Sequence, residues 1–109
     1  MKEKRGYLHP GHEFLAKTDP DFLESYNGLY DSSLGKSNLL SIKVKEFIAI
    51  ALLAQQGYDA AVELHIKRAM QNGATPEEIV EALEAATLPG GAATLMRGLD
   101  ALLKVMGTK

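Results

Sequence analysis

The chain has 109 residues, enough for one domain with a small core. A net charge of −2 with scattered basic residues leaves no footprint for nucleic acid, and the longest apolar run, Phe47 to Ala54, is far too short to cross a bilayer. Cysteine is absent, which excludes disulfides, thiolate metal sites and thiol chemistry together.

The N-terminus is charged and has no apolar signal core, so a cytoplasmic protein is expected. Lys2, Lys4 and Arg5 form the only basic cluster, which reads as a solvated tail. Residues 1–18 read as an N-terminal arm, with Gly6, Pro10 and Gly11 as breakers; residues 19–109 read as a single helical domain. Asp19-Pro20 signals a helix start, an N-cap acceptor followed by proline at the first helical position. That helix carries Phe22, Leu23, Tyr26, Leu29 and Tyr30 to about Leu34 and stops at Gly35.

A second helix is expected from near Ser41 to just before Gly57, apolar nearly all round from Phe47 onward. A third runs from about Asp59 to Asn72 and is closed by Gly73. Thr75-Pro76-Glu77-Glu78 then gives the clearest local signal. Threonine as N-cap, proline at N1 and glutamate at N3 make a capping box. Leu88-Pro89-Gly90-Gly91 is expected to break this fourth helix. A last helix spans about Ala92 to Met106 before Gly107.

No segment alternates with period two, so the fold is expected to be all-α, a compact bundle of about five helices around an aliphatic core. Met70, Met96 and Met106 read as core filler. Phe47, Ile48 and Leu52 leave a second apolar face on the central helix, which predicts a homo-oligomer.

Glu46 and His65 are the informative residues. Around Glu46 the helical neighbours Ile42, Ala49, Ile50 and Leu53 are all apolar. His65 has Ala61, Val62 and Ala69 about it, with Glu63, Lys67 and Arg68 placed elsewhere on the helix. Burying a carboxylate without a partner costs several kcal/mol, on the order of magnitude. Glu46 stands about ten residues before the Gln55-Gln56-Gly57 turn and His65 about eight after it, so antiparallel helices bring the two to similar height. Such a pair is either a structural ion pair or a proton-transfer pair in a pocket.

Other groups read more plainly. His9-Pro10-Gly11-His12-Glu13 would suit zinc only on a helix, and Pro10-Gly11 favours a solvated or docking loop instead, so no metal site is expected. Gly90-Gly91 lacks the preceding strand and flanking Lys-Ser/Thr of a phosphate cradle and reads as a close helix crossing.

Glu46, His65, Ala69, Asn72-Gly73-Ala74-Thr75 and Glu77-Glu78-Ile79 together resemble the carboxymuconolactone decarboxylase family, whose superfamily includes the alkylhydroperoxidase D proteins. The likeness covers about residues 40–96, and Pro89-Gly90-Gly91-Ala92-Ala93 looks like the family's glycine-containing junction. The peroxidase branch carries Cys-x-x-Cys where this chain has Tyr58 and Ala61, so thiol peroxidase activity is not expected.

The resemblance instead implies lyase-type chemistry on a small carboxylated or lactone substrate, with His65 and Glu46 catalytic and no cofactor. Tyr58 and Lys43 are the implied substrate contacts; Lys36 and Lys45 are further cations, and a neighbouring subunit is a further source of positive charge through Arg5 or Arg97. A trimer or hexamer is implied as well. The alternative is a non-catalytic ligand-binding or assembly protein in which Glu46–His65 is purely structural.

Overall fold

The computed structural model describes residues 10–107. These form six α-helices and no strand: α1 (Pro10–Thr18), α2 (Pro20–Ser33), α3 (Ile42–Gln56), α4 (Asp59–Gln71), α5 (Pro76–Gly90) and α6 (Ala92–Val105). Lys2, Lys4, Arg5, Gly6, Tyr7 and His9 lie outside the described residues. The chain divides into two units, Met1–Ser41 and Ile42–Lys109.

In the first unit α1 packs against α2. Residues 10–18 of the expected arm are helical, so Pro10 and Gly11 do not act as breakers there. Pro10 opens the helix rather than breaking it, since a first-turn residue has no intrahelical partner for its N–H. Asp19 caps α2 as its sequence signal indicates, its Oδ1 accepting from the Phe22 amide at 3.2 Å. His12 makes a tilted ring contact with Tyr26, centroids 5.7 Å apart. Leu23 is the one buried residue on either helix.

The second unit holds the core. Ile50 and Ala54 of α3, Val62, Ile66 and Ala69 of α4, Ile79 and Leu83 of α5, and Ala101 and Leu102 of α6 are all buried together. Each large aliphatic among them contributes roughly 1.5–3 kcal/mol by leaving water. α4 ends where expected. Gly73 takes φ +94°, a conformation that costs a residue with a Cβ, and the Ala74 amide returns to the Ala69 carbonyl at 2.9 Å. The capping box of α5 is complete: the Glu78 amide donates to Thr75 Oγ1 at 3.1 Å and the Thr75 amide to Glu78 Oε1 at 3.0 Å.

The expected break falls within Leu88-Pro89-Gly90-Gly91: α5 ends at Gly90 and α6 starts at Ala92, with Pro89 inside the last turn of α5. Proline there forfeits one hydrogen bond in the last turn, where few remain to lose. Two other expectations are corrected. The tight approach between α5 and α6 is at Gly98 rather than Gly90–Gly91: a Cβ on Gly98 would come within 2.4 Å of Leu83 Cδ2. Met96 and Met106 are half exposed, and only Met70 packs on the core.

Candidate active site

α3 and α4 pack along each other, and their facing sides bring Glu46 and His65 together. His65 Nδ1 lies 2.6 Å from Glu46 Oε1, a short contact of the charge-assisted kind. Glu46 is wholly buried, whereas the His65 side chain keeps 14% of its surface exposed. With a carboxylate accepting from Nδ1–H, the neutral ring has its lone pair on Nε2. Among the described residues, no group hydrogen-bonds Nε2. The second carboxylate oxygen, Oε2, is buried without a hydrogen-bond donor, so Glu46 directs its whole hydrogen-bonding demand at the imidazole.

The implied substrate contacts are placed less decisively. Lys43 stands one turn before Glu46 on α3, about 60° around the helix. Its Nζ is 3.0 Å from Glu78 Oε2, with both side chains partly exposed. The Glu78 carboxyl is held below the usual carboxylate range, first by the Thr75 backbone amide and then by Lys43. Tyr58 occupies the N-cap position of α4 and is half exposed, two turns ahead of His65. Arg97 is engaged elsewhere, donating to the Ala54 and Gln55 carbonyls at 3.4 and 3.3 Å and so capping α3. Lys36 and Lys45 each have a partner, and Arg5 is outside the described residues.

Arg68 is the residue that sequence reasoning missed. Spacing placed it elsewhere on the helix than His65, with Glu63 and Lys67, yet it is only 6% exposed, one turn beyond His65 on α4. Charge alone was a misleading guide. The usable signal was position, since i+3 from a functional residue lies on the same flank.

An open groove of about 500 Å³ is lined by Asp59, Glu63, Arg97, Asp100, Leu103 and Lys104. At 100° per residue, Glu63 points some 160° away from His65, so this groove and the pair occupy opposite flanks of α4. Among the described residues, no three His, Asp or Glu side chains are grouped as a metal ion requires, and no helix is long and apolar enough to cross a membrane.

With this geometry in hand, a profile of the carboxymuconolactone decarboxylase family matches residues 20–104. The chain belongs to that family. An uncharacterized protein of Methanocaldococcus jannaschii is 27% identical over 95 residues, 87% of this chain and 88% of that one. Another, from Cupriavidus necator, is 31% identical over 88 residues, covering 81% and 77% of the two chains. The crystal structure of a candidate carboxymuconolactone decarboxylase from Burkholderia xenovorans LB400 superposes with a TM-score of 0.84 at 20% identity, over 97% of this chain and 83% of that one. That structural likeness speaks for the fold, and the chain contains no cysteine.

Proposed function

We propose that this family member is a small lyase-type enzyme that performs acid–base chemistry through His65 and Glu46 on a carboxylated or lactone substrate. The observation that carries the reading is the 2.6 Å contact at Nδ1 on an imidazole whose side chain keeps 14% of its surface exposed. Loss of carbon dioxide from such a substrate leaves an enolate that must be protonated at carbon. An imidazolium at His65 delivers that proton from Nε2, while Glu46 fixes the ring and stabilises its charge. Lys43 and Tyr58 are the proposed substrate contacts. Exchanging Glu78 for a substrate carboxylate costs Lys43 little, because exposed ion pairs contribute only about 0–1 kcal/mol.

The test is carbon dioxide release from 4-carboxymuconolactone. Release by the native chain that falls to background in His65→Gln supports the reading; no release from well-folded protein removes this substrate. Glutamine is chosen because its amide can still donate to Glu46.

A second reading has its own observation. The open groove avoids the pair, as a binding protein with a structural Glu46–His65 would allow. In that case His65→Gln leaves ligand binding unaltered.

Self-association belongs to the same proposal. Val44, Ile48 and Leu52 form an exposed stripe at every fourth position of α3, on the face opposite Glu46. A trimer or hexamer is expected by light scattering, and a clean monomer of 11.8 kDa would contradict it.

A further inference from the structure

The groove between α4 and α6 lies on the flank of α4 away from His65, and the chemistry proposed above leaves it unused. At about 500 Å³ it has the capacity of a small-molecule site. Ala101 and Leu103 give it an aliphatic wall, and its charged groups fall into two sets. Arg97 is committed to the end of α3 through the Ala54 and Gln55 carbonyls, and Lys104 faces Glu63 with Nζ 3.8 Å from Oε2. Asp59 on α4 and Asp100 on α6 are exposed and have no hydrogen bond or ion pair among the described residues. Both cations of the groove are thus answered from within the protein, while two of its three carboxylates are not.

The unmatched charge selects the ligand. An anion would meet the two open carboxylates, and an uncharged molecule would strip water from them without replacing it. A metal ion lacks the ligands, since no three His, Asp or Glu side chains are suitably grouped among the described residues. A protonated amine brings three donors for a carboxylate, and a methylene chain beside it gains by leaving water against Ala101 and Leu103. The helix ends favour the same sign. Gly107 lines the groove just past the last turn of α6, where the carbonyls carry the negative end of the helix dipole. At the end of α3 the protein already sets a cation in such a place, the Arg97 guanidinium. We infer that the groove binds small aliphatic amines, best those with an ammonium at each end of a short methylene chain, one for Asp59 and one for Asp100. The site rests on the second reading above only in treating the groove as a place for a ligand, and it needs nothing from His65.

The probe is 1,5-diaminopentane, titrated into the full nitrogen-15-labelled chain at constant ionic strength. Saturable shifts are expected at the backbone amides of Asp59, Asp100, Leu103 and Gly107, with a dissociation constant of about a millimolar, as exposed ion pairs and one short methylene chain allow. Asp59→Asn and Asp100→Asn should each weaken binding roughly two- to five-fold, and the double variant on the order of tenfold. Both side chains are exposed, so the variants should keep the native amide spectrum elsewhere. 5-Amino-1-pentanol, with one ammonium, should bind more weakly, and pentanedioate should not saturate the same amides.

No saturable shift with folded protein, or unchanged affinity in the double variant, would overturn the inference. So would the same shifts from magnesium chloride at equal charge, which would mark a loose counter-ion layer, or shifts centred on His65 instead of the groove. His65→Gln should leave the dissociation constant as it is. Amine binding together with His65-dependent carbon dioxide release keeps this site and removes the non-catalytic reading. Absence of amine binding removes this site alone and leaves the release assay to decide the chemistry at His65.

Discussion

The two units contain apolar residues in quantity but use them differently. In residues 10–41, Phe14, Phe22, Tyr26 and Leu29 are all at least 45% exposed, and Leu23 is the sole buried residue of its two helices. In residues 42–107 a continuous set from four helices is fully buried and encloses a carboxylate. Apolar composition therefore does not by itself make a core. Four helices can surround a shared interior, whereas two have only one mutual face to bury. The surrounding apolar wall is also what makes Glu46 hold its histidine, since a hydrated carboxylate would have water as an alternative.

Removing His65 should have the largest effect. His65→Ala leaves Glu46 buried with no donor on either oxygen and should destabilise the protein by about 3–5 kcal/mol in urea melts. His65→Gln, which restores a donor, should recover most of that. An alanine variant as stable as the native chain would show that the buried Glu46 does not depend on His65.

Next comes a direct contrast of the units. Ile66→Ala, at a position with no exposure, should cost about 2–5 kcal/mol, while Leu29→Ala, at 64% exposure, should stay within roughly 0.5 kcal/mol. A large effect at Leu29 that grows with protein concentration would show its face to be covered by another copy.

Gly98→Ala should be smaller, about 1–3 kcal/mol, because Leu83 is fully buried and has little room to retreat from the new Cβ. The change should become neutral or favourable in a Leu83→Ala background, where helix propensity is left to act. A double-mutant cycle on thermal melts measures that coupling, and additive effects would refute the contact.

The smallest effect is at the cap. Thr75→Ala should cost about 1 kcal/mol. Glu78 is held below the usual carboxylate value in the folded chain, so its contribution is complete above that value and is lost as pH falls through the lower, folded one. Stability measured on descending pH should therefore lose less in Glu78→Gln than in the native chain.

Much of this was legible in the residues. Asp19-Pro20, Gly73 and Thr75-Pro76-Glu77-Glu78 mark helix ends by local chemistry that tertiary packing has no reason to override. The pairing of Glu46 with His65 was legible because a known turn sets relative height and a buried carboxylate demands a donor. What failed were arguments from one residue type. Proline reads as a breaker, but Pro10 stands in a first turn where its missing N–H is not needed, and Arg68 is buried although it is charged. The Lys43–Glu78 contact joins two partly exposed residues far apart in the chain, a link that neither periodicity nor spacing reports.

That contact has a thermodynamic consequence. Glu78 gives one oxygen to the start of α5 and the other to Lys43, so a single carboxylate answers to a helix end and to a cation one turn from Glu46. An anion that draws Lys43 away leaves Glu78 to the helix alone. By reciprocity, whatever strengthens or weakens that helix start must alter the affinity for the anion by the same factor. A capping motif, ordinarily a matter of folding alone, would then be a lever on any anion that Lys43 binds.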